Sequence, residues 1–230
     1  MDHKKSCFVL SLFLIASCTA ISQLGTWNIL NVRYKWNNNW TFFGEGQIRS
    51  LAFYDQFHYY EYKGGFEFKQ SEQLRFALGA GSYQTYKEGG NFVEPKNNDE
   101  FRVWPQLVLQ QKLGVFRVEQ RYRAEMRFTS SGYRNRFRYR VGLSIPFVKK
   151  DSFHQWQFTI NNELFFTNKE PYFERNRFSA SMQYKPNKLL AFQLGYLYQF
   201  DYKINDETGR DFLVIGCFME LSKKTQSSPK

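Results

Sequence analysis

Charged and bulky apolar residues alternate with a strict period of two between Val115 and Pro146. Successive side chains of a β-strand point to opposite faces of a sheet, so this alternation predicts two strands, each with one ionic and one apolar face. The apolar faces are rich in aromatic residues, and Gln120 is the one polar residue on them. The ionic faces carry Arg117, Glu119, Arg121, Arg123, Glu125 and Arg127 on the first strand, and Arg136, Arg138 and Arg140 on the second.

This pairing of faces indicates a membrane barrel. A soluble sandwich normally points short or mixed polar groups at water, whereas a ladder of guanidinium groups opposite an aromatic face is typical of strands that turn one face to lipid and the other to a lumen. The sequence therefore predicts an all-β fold, a single antiparallel transmembrane β-barrel of 10–12 strands with an Arg-rich lumen and aromatic girdles.

Segments with this period recur along the chain, and about ten residues suffice for a tilted strand to cross a bilayer. Eleven segments are found, although bacterial single-chain barrels have an even number of strands. Either the first segment is not a barrel strand, which leaves ten, or one crossing is unrecognised, which gives twelve. The predicted strands are Thr26–Trp36, Trp40–Ser50, Phe57–Phe68, Leu74–Tyr86, Phe101–Lys112, Val115–Phe128, Arg134–Ile145, Gln155–Phe166, Glu174–Tyr184, Leu189–Phe200 and Arg210–Leu221.

The predicted connections alternate between short and longer ones. Short periplasmic turns and longer outer loops are the rule for such barrels, so the longest connection, Lys87–Glu100, is expected at the cell surface. Its Gly89-Gly90 and Asn97-Asn98 pairs suit a solvated loop. Aromatic residues near the strand ends predict the girdles at the membrane interfaces, namely Tyr59, Tyr60, Tyr62, Tyr83, Tyr86, Tyr196, Tyr198 and Phe200.

Residues 1–22 have the pattern of a secretory signal peptide, with a basic start and an apolar run, Phe8–Ala16, that is too short for a spanning helix. Cleavage before Gln23 is favoured, because a barrel needs no lipid anchor. The alternative is a lipoprotein processing box at Ile15–Cys18, which would leave Cys18 lipidated. The barrel is then expected at residues 23–221 and a polar C-terminal tail at residues 222–230.

Composition limits the alternatives. The net charge of +11 would suit a nucleic-acid-binding protein, but here the Arg residues alternate with aromatics along strands instead of forming a basic helix face, so no nucleic acid partner is expected. Cys217 is the one cysteine outside the signal segment, which excludes an internal disulfide. The chain has no metal-type Cys/His spacing and no phosphate-binding loop, so we expect no metal and no cofactor.

The Arg ladder is the candidate site. Its basic wall comprises Arg117, Arg121, Arg123, Arg127, Arg136, Arg138 and Arg140, and its expected acidic partners are Glu45, Glu61, Glu119, Glu125 and Glu163. Two interpretations remain open. In a barrel of this size the lumen is only slightly wider than its side chains, so the charges would form an ion-pair network that fills it. Alternatively, an under-neutralised wall would attract small anions.

Catalysis has little support in the sequence. Outside the signal segment the histidines are His58 and His154, which the predicted topology places at opposite rims. A histidine base for a nearby hydroxyl is conceivable at His58 alone, next to Ser82 or Thr85, but the neighbouring tyrosines favour a position at the membrane interface. We therefore predict that the protein is not an enzyme.

The chain resembles DUF2490, a family of bacterial outer-membrane proteins common in Bacteroidetes and Proteobacteria that has no assigned activity. Besides Trp27 soon after the signal, the features that carry the resemblance are the segments Leu78–Tyr83, Glu100–Gln106, Glu119–Arg123, Arg136–Arg140 and Asn162-Glu163. The resemblance covers essentially the whole chain after the signal and implies a small barrel in the outer membrane.

The predicted function is therefore a non-enzymatic barrel, structural or acting as a narrow channel with a basic lumen. A surface-exposed adhesion barrel and a lipid-modifying enzyme of the outer membrane are the alternatives. The expected partners are outer-membrane lipid, the outer-membrane assembly machinery and small anions. The last strand loosely matches the assembly signal through Gly216, Met219 and Leu221.

Overall fold

A computed structural model describes residues 24–150, 153–203 and 207–223. The predicted signal peptide, and the predicted tail beyond residue 223, lie outside these residues. The strands are β1 (Gly25–Lys35), β2 (Trp40–Ala52), β3 (Asp55–Lys69), β4 (Leu74–Lys87), β5 (Val93–Leu113), β6 (Phe116–Thr129), β7 (Gly132–Lys150), β8 (Phe153–Thr167), β9 (Phe173–Tyr184), β10 (Leu190–Asp201) and β11 (Thr208–Ser222). None of the described residues forms a helix long and apolar enough to cross a membrane.

The strands form one closed barrel in which each strand pairs with its neighbour in sequence and β1 pairs with β11. The predicted all-β barrel is thereby confirmed. The two even-number alternatives are wrong for the described residues, because all eleven predicted segments are strands of this barrel. In a meander of antiparallel hairpins, an odd number of strands makes the first and the last run in the same direction. The β1–β11 pair is accordingly parallel, so the barrel is not antiparallel throughout.

An apolar cluster lies inside the β1–β11 seam. Trp27 is in register with Val214, and its indole meets the ring of Phe212 edge to face at 5.6 Å between centroids. Ile29 and Leu197 pack against these three residues. The seam is therefore held by hydrophobic packing on its inner side as well as by the parallel hydrogen-bond ladder.

The two ends of the barrel are named after residues in their hairpins. The Gly90 end carries five connections of two to six residues, and the Gly114 end carries five of two to five residues. The predicted alternation of short and long connections is therefore wrong. Several strands, such as β7, extend beyond their period-two apolar pattern, so residues that were expected in loops belong to strands.

The largest such difference is the predicted loop Lys87–Glu100. The structure limits it to residues 88–92, because β5 already begins at Val93 and pairs with Lys87. The register shifts between Thr85 and Lys87, so the extra residues of β5 form a bulge. The loop folds back on β3, where the Asn91 side chain accepts a hydrogen bond from the backbone N–H of Phe57 at 2.8 Å.

The outer face of the barrel is apolar on every side. Exposed large hydrophobic side chains occur on all eleven strands, and aromatic pairs such as Trp36–Phe42 and Phe128–Tyr133 lie at opposite ends. Two tyrosines assigned to the girdles face inward instead, Tyr59 and Tyr83, which are 8% and 2% exposed. Both share the parity of inward-facing charged residues on their strands, so they belong to the lumen.

Candidate functional site

The interior holds a charged cavity of about 890 Å³. Among the residues that the structure describes, sixteen Arg or Lys and nine Asp or Glu side chains line this cavity. Glu125 lies buried behind them with a fully covered side chain. The interior therefore carries an excess of positive charge, although most guanidinium groups in it have a carboxylate partner.

The structure places the predicted basic wall on β6 and β7, facing inward, and neutralises much of it with two buried carboxylates. Glu163 accepts hydrogen bonds from Arg121 and Arg138, the latter at 2.9 Å. Glu125 accepts hydrogen bonds from Nε of Arg136 and from Nη1 of Arg138, each at 2.7 Å. Arg138 thus bridges the two carboxylates. Glu163 lies beside the wall because β8 adjoins β7.

A second group of pairs lies nearer the Gly90 end and includes residues that sequence reasoning missed. Glu100 accepts hydrogen bonds from Nε and Nη2 of Arg102, at 2.8 and 2.9 Å, and it also accepts one from Arg127. Glu174 on β9 lies 3.3 Å from Arg127 and 3.2 Å from Arg136. Glu100 and Arg102 are two residues apart with the parity of the other inward charges, so the same period-two argument could have found them.

Nearer the Gly114 end the pairs are more open to water. Glu119 accepts from Arg140 at 2.6 Å and from Arg75 at 3.0 Å, and these three side chains keep about a quarter of their area exposed. Arg117 lines the cavity there without a carboxylate within 4 Å among the described residues. Every arginine of the basic wall except Arg117 therefore has a carboxylate partner among the described residues.

The other two predicted acidic partners, on β2 and β3, bind cations of these same two strands. Glu45 and Glu61 both contact Lys63, and Glu61 also accepts a hydrogen bond from Arg49 at 3.1 Å. Neither carboxylate contacts the wall of β6 and β7. The structure thus brings Glu119, Glu125 and Glu163 to the predicted basic wall and leaves Glu45 and Glu61 in a separate cluster.

A ring of stacked guanidinium groups and aromatic side chains crosses the lumen, and we call it the Arg–aromatic belt. Arg49 lies 3.4 Å from the ring centroid of Trp27 and 4.0 Å from that of Tyr59. Arg177 lies 4.7 Å from the ring centroid of Phe165 and 4.8 Å from that of Trp27. Arg123 and Arg138, which stack on different rings, are linked through Glu125. The belt consists of Trp27, Arg49, Tyr59, Tyr83, Arg102, Trp104, Arg123, Arg138, Phe165 and Arg177.

The belt contains the three most deeply buried aromatic side chains among the described residues, Phe165, Trp104 and Tyr83. Trp104 and Phe165 are 1% and 0% exposed, and guanidinium groups held over ring faces away from water gain cation–π attraction. Toward the Gly114 end, β7 to β9 contribute small side chains or none to the cavity lining, namely Gly142, Ser144, Thr159, Asn161, Ser179 and Ser181. The side chains that line the cavity are therefore bulkier at the belt than on β7 to β9 beneath it.

The described residues offer no further catalytic or metal-binding constellation. They include no group of three or more His, Cys, Asp or Glu side chains placed to hold a metal ion. His58 lies near the Gly90 end of β3 and His154 near the Gly114 end of β8, so the two histidines do not meet.

Fold and interior together define a closed β-barrel with an apolar exterior and an ion-paired, aromatic-stacked lumen. Residues 24–210 match the family model described as "Protein of unknown function (DUF2490)", and the chain belongs to this family. Comparison with curated proteins and with solved structures gave no match. Membership therefore agrees with the predicted resemblance and assigns no activity.

Proposed function

We propose that the protein is a non-enzymatic barrel of the bacterial outer membrane whose lumen is closed to ions by the Arg–aromatic belt. The burial of the belt is the observation that carries this proposal, because its side chains follow the inner circumference from β1 to β9 with little area left to water. Leu197, Phe212 and Val214 fill the remaining sector beside Trp27. We therefore propose a structural role, in which the side chains packed in the lumen make the barrel rigid.

The apolar exterior supports the membrane location. Soluble monomers rarely expose contiguous apolar patches larger than a few hundred Å², whereas here large hydrophobic side chains are exposed around the whole circumference. Strands of 11 to 21 residues are long enough to cross a bilayer when tilted. Lipid is thus the partner of the outer face, and we propose that the assembly machinery acts on β11.

Conductance of the purified protein in a planar bilayer tests the closed lumen. The wild-type protein should stay at the baseline, and the double variant Trp104→Ala, Phe165→Ala should show discrete openings, because it empties the most buried part of the belt. The matched control is Phe101→Ala, Phe166→Ala, which removes two exposed rings from the outer face of the same strands and should stay at the baseline. A steady open pore in the wild type would contradict the proposal.

An anion-selective narrow channel is the second candidate, favoured by one observation. The cavity lining reaches both ends of the barrel and carries more cationic than anionic groups. If the wild type conducts, rings of Arg and Lys should make the pore prefer anions. The triple change Arg121→Gln, Arg123→Gln, Arg138→Gln should then lower anion selectivity, whereas a closed barrel would lose stability without gaining conductance.

We propose that the Gly90 end faces the cell exterior, because the longest connection between strands, the six residues between Asp201 and Thr208, lies at this end. An epitope inserted after Gly90, in a turn where a Cβ would meet only a Val93 methyl group, should bind antibody on intact cells. Binding only after the outer membrane is permeabilised would place the Gly114 end outside instead.

A further inference from the structure

The hydrogen-bonded pairing of β5 and β6 has one interruption. The two strands pair at Val103 with Met126 and again at Gln106 with Arg123, but Trp104 and Pro105 have no partner on β6. Proline lacks the backbone N–H that a ladder needs and is normally confined to edge strands or bulges. The hydrogen-bond ladder is therefore interrupted at Pro105 in the middle of a paired strand.

An apolar groove of about 420 Å³ lies over this interruption on the outer face. Its lining consists of Phe76, Pro105, Leu107, Ala124, Phe137 and Phe166, with Tyr122 and Tyr139 along one side. Ala124 is the one small side chain between these larger ones, so it leaves the space that the groove occupies. Gln106, Arg123 and Arg138, whose side chains belong to the lumen, also line the groove.

A polar cluster on the outer face lies beside the groove. The hydroxyl groups of Tyr122 and Tyr139 both donate to Oε1 of Gln120, at 2.9 and 3.2 Å. This arrangement orients the Gln120 amide and leaves its Nε2 without an acceptor among the described residues. Gln120 is in register with Val141 and Leu109, so an amide donor is presented within an apolar surface. Polar groups at membrane depth are costly and commonly mark binding sites.

We infer that the groove binds an acyl chain of a membrane phospholipid, with the ester carbonyl of that chain accepting a hydrogen bond from Gln120 Nε2. This inference rests on the proposed membrane location. An uncharged carbonyl fits better than the carboxylate of a free fatty acid, because the two arginines at the groove are already engaged. Arg123 donates to Gln106 Oε1 at 2.6 Å, and Arg138 donates to Glu163 and Glu125.

The dimensions agree with a lipid chain lying along β6. Gln120 and Ala124 are four residues apart on the same face of the strand, which corresponds to about 13 Å at the usual rise per residue. The carbonyl would lie at Gln120, and the methylene groups would extend past Tyr122 to Ala124 and Pro105. Burial of methylene groups against these side chains fills the groove.

Photolabelling in vesicles tests the inference. The protein is reconstituted in phosphatidylcholine vesicles that contain a phosphatidylcholine with a diazirine in one acyl chain, and the adducts are mapped by peptide mass spectrometry. Adducts should concentrate severalfold on β6 and β7 near Ala124 and Tyr139, relative to exposed Phe192 and Leu194 of β10. Ala124→Phe should abolish the enrichment because the ring fills the groove. Gln120→Leu should weaken it.

The matched control is Ala180→Phe, the same change at an outward-facing alanine of β9, which should leave the enrichment intact. Uniform labelling of the outer face that Ala124→Phe does not alter would overturn the groove site while leaving the membrane location standing. If the acyl probe labels no outward-facing residue at all, both the site and the membrane location are wrong. Gel mobility of the folded barrel verifies each variant, and Ala124→Leu replaces Ala124→Phe if the larger side chain prevents folding.

Discussion

Gly79 of β4 lies directly beneath the indole of Trp104 on β5, so close that a Cβ at position 79 would be 2.5 Å from Cζ2 of the ring. The two residues are in register across the β4–β5 ladder. The missing side chain at position 79 lets the largest ring of the Arg–aromatic belt lie flat against the wall. The absence of a side chain at position 79 is therefore what allows the Trp104 ring to pack this closely against β4.

Gly79→Ala should destabilise the barrel by about 1–3 kcal/mol, the usual cost of overpacking a well-filled interior, because both the indole and the belt above it must shift. Urea unfolding in detergent or vesicles, followed by tryptophan fluorescence, measures the change. Gly46→Ala on β2 is the control, since a Cβ there meets nothing within 4 Å, and it should change stability by about 0.5 kcal/mol or less. Equal effects at the two positions would contradict the close contact with Trp104.

Removing Arg138 should be the most damaging single change in the basic wall. Arg138→Gln leaves Glu125 and Glu163 each short of one partner in a water-poor interior, and breaking a buried pair in this way costs about 3–5 kcal/mol. Arg117→Gln makes the same chemical change at a position with no carboxylate within 4 Å among the described residues. It should cost roughly 1 kcal/mol or less. Chemical denaturation of the two variants under identical conditions provides the comparison.

The parallel closure of the barrel predicts a specific disulfide. Leu30 of β1 is in register with the native Cys217 of β11, and residues paired in this way share one face of the sheet. Neighbouring strands lie about 4.8 Å apart, within the range of Cα distances that a disulfide bridges. Leu30→Cys should therefore form a disulfide with Cys217 on mild oxidation of the folded protein, detected as a linked peptide by mass spectrometry.

Val32→Cys is the control for this experiment, because position 32 is in register with Met219 and not with Cys217. It should give little linked peptide. A disulfide that forms from position 32 and not from position 30 would mean a different β1–β11 register. Failure of both positions in the folded protein would contradict closure by these two strands.

A charge on the outer face should be poorly tolerated. Leu143 on β7 is 39% exposed on the face opposite Arg138 and Arg140, so Leu143→Arg would place a guanidinium group in lipid. The expected cost is about 2–4 kcal/mol near the bilayer midplane, measured by unfolding from phospholipid vesicles. Leu143→Phe keeps the position apolar and should be nearly neutral. A well-tolerated arginine at this position would place that face in water.

The sequence alone determined which residues face inward on most strands. The period-two alternation of charged and aromatic residues from Val115 to Pro146 requires opposite faces for the two sets, and the structure has them so. The same periodicity located all eleven strands. Strand ends were less well determined, because backbone pairing extended β5 into polar residues from Val93 onward, which no apolar pattern marks.

Only the tertiary structure decided how the ends of the sheet meet and which charges pair. Closure brings β1 beside β11, almost the whole chain apart, and no local pattern encodes that contact. Which charges pair depends on the height of each residue along the barrel axis, and strand tilt and register together set that height. As a result, Glu163 lies beside the basic wall, whereas Glu45 and Glu61 bind Lys63. The belt likewise exists only because curvature brings Trp27, Arg49 and Arg177 from separate strands into one layer. Alternation along a strand is a local property of the backbone, whereas pairing across a lumen is a property of the closed barrel.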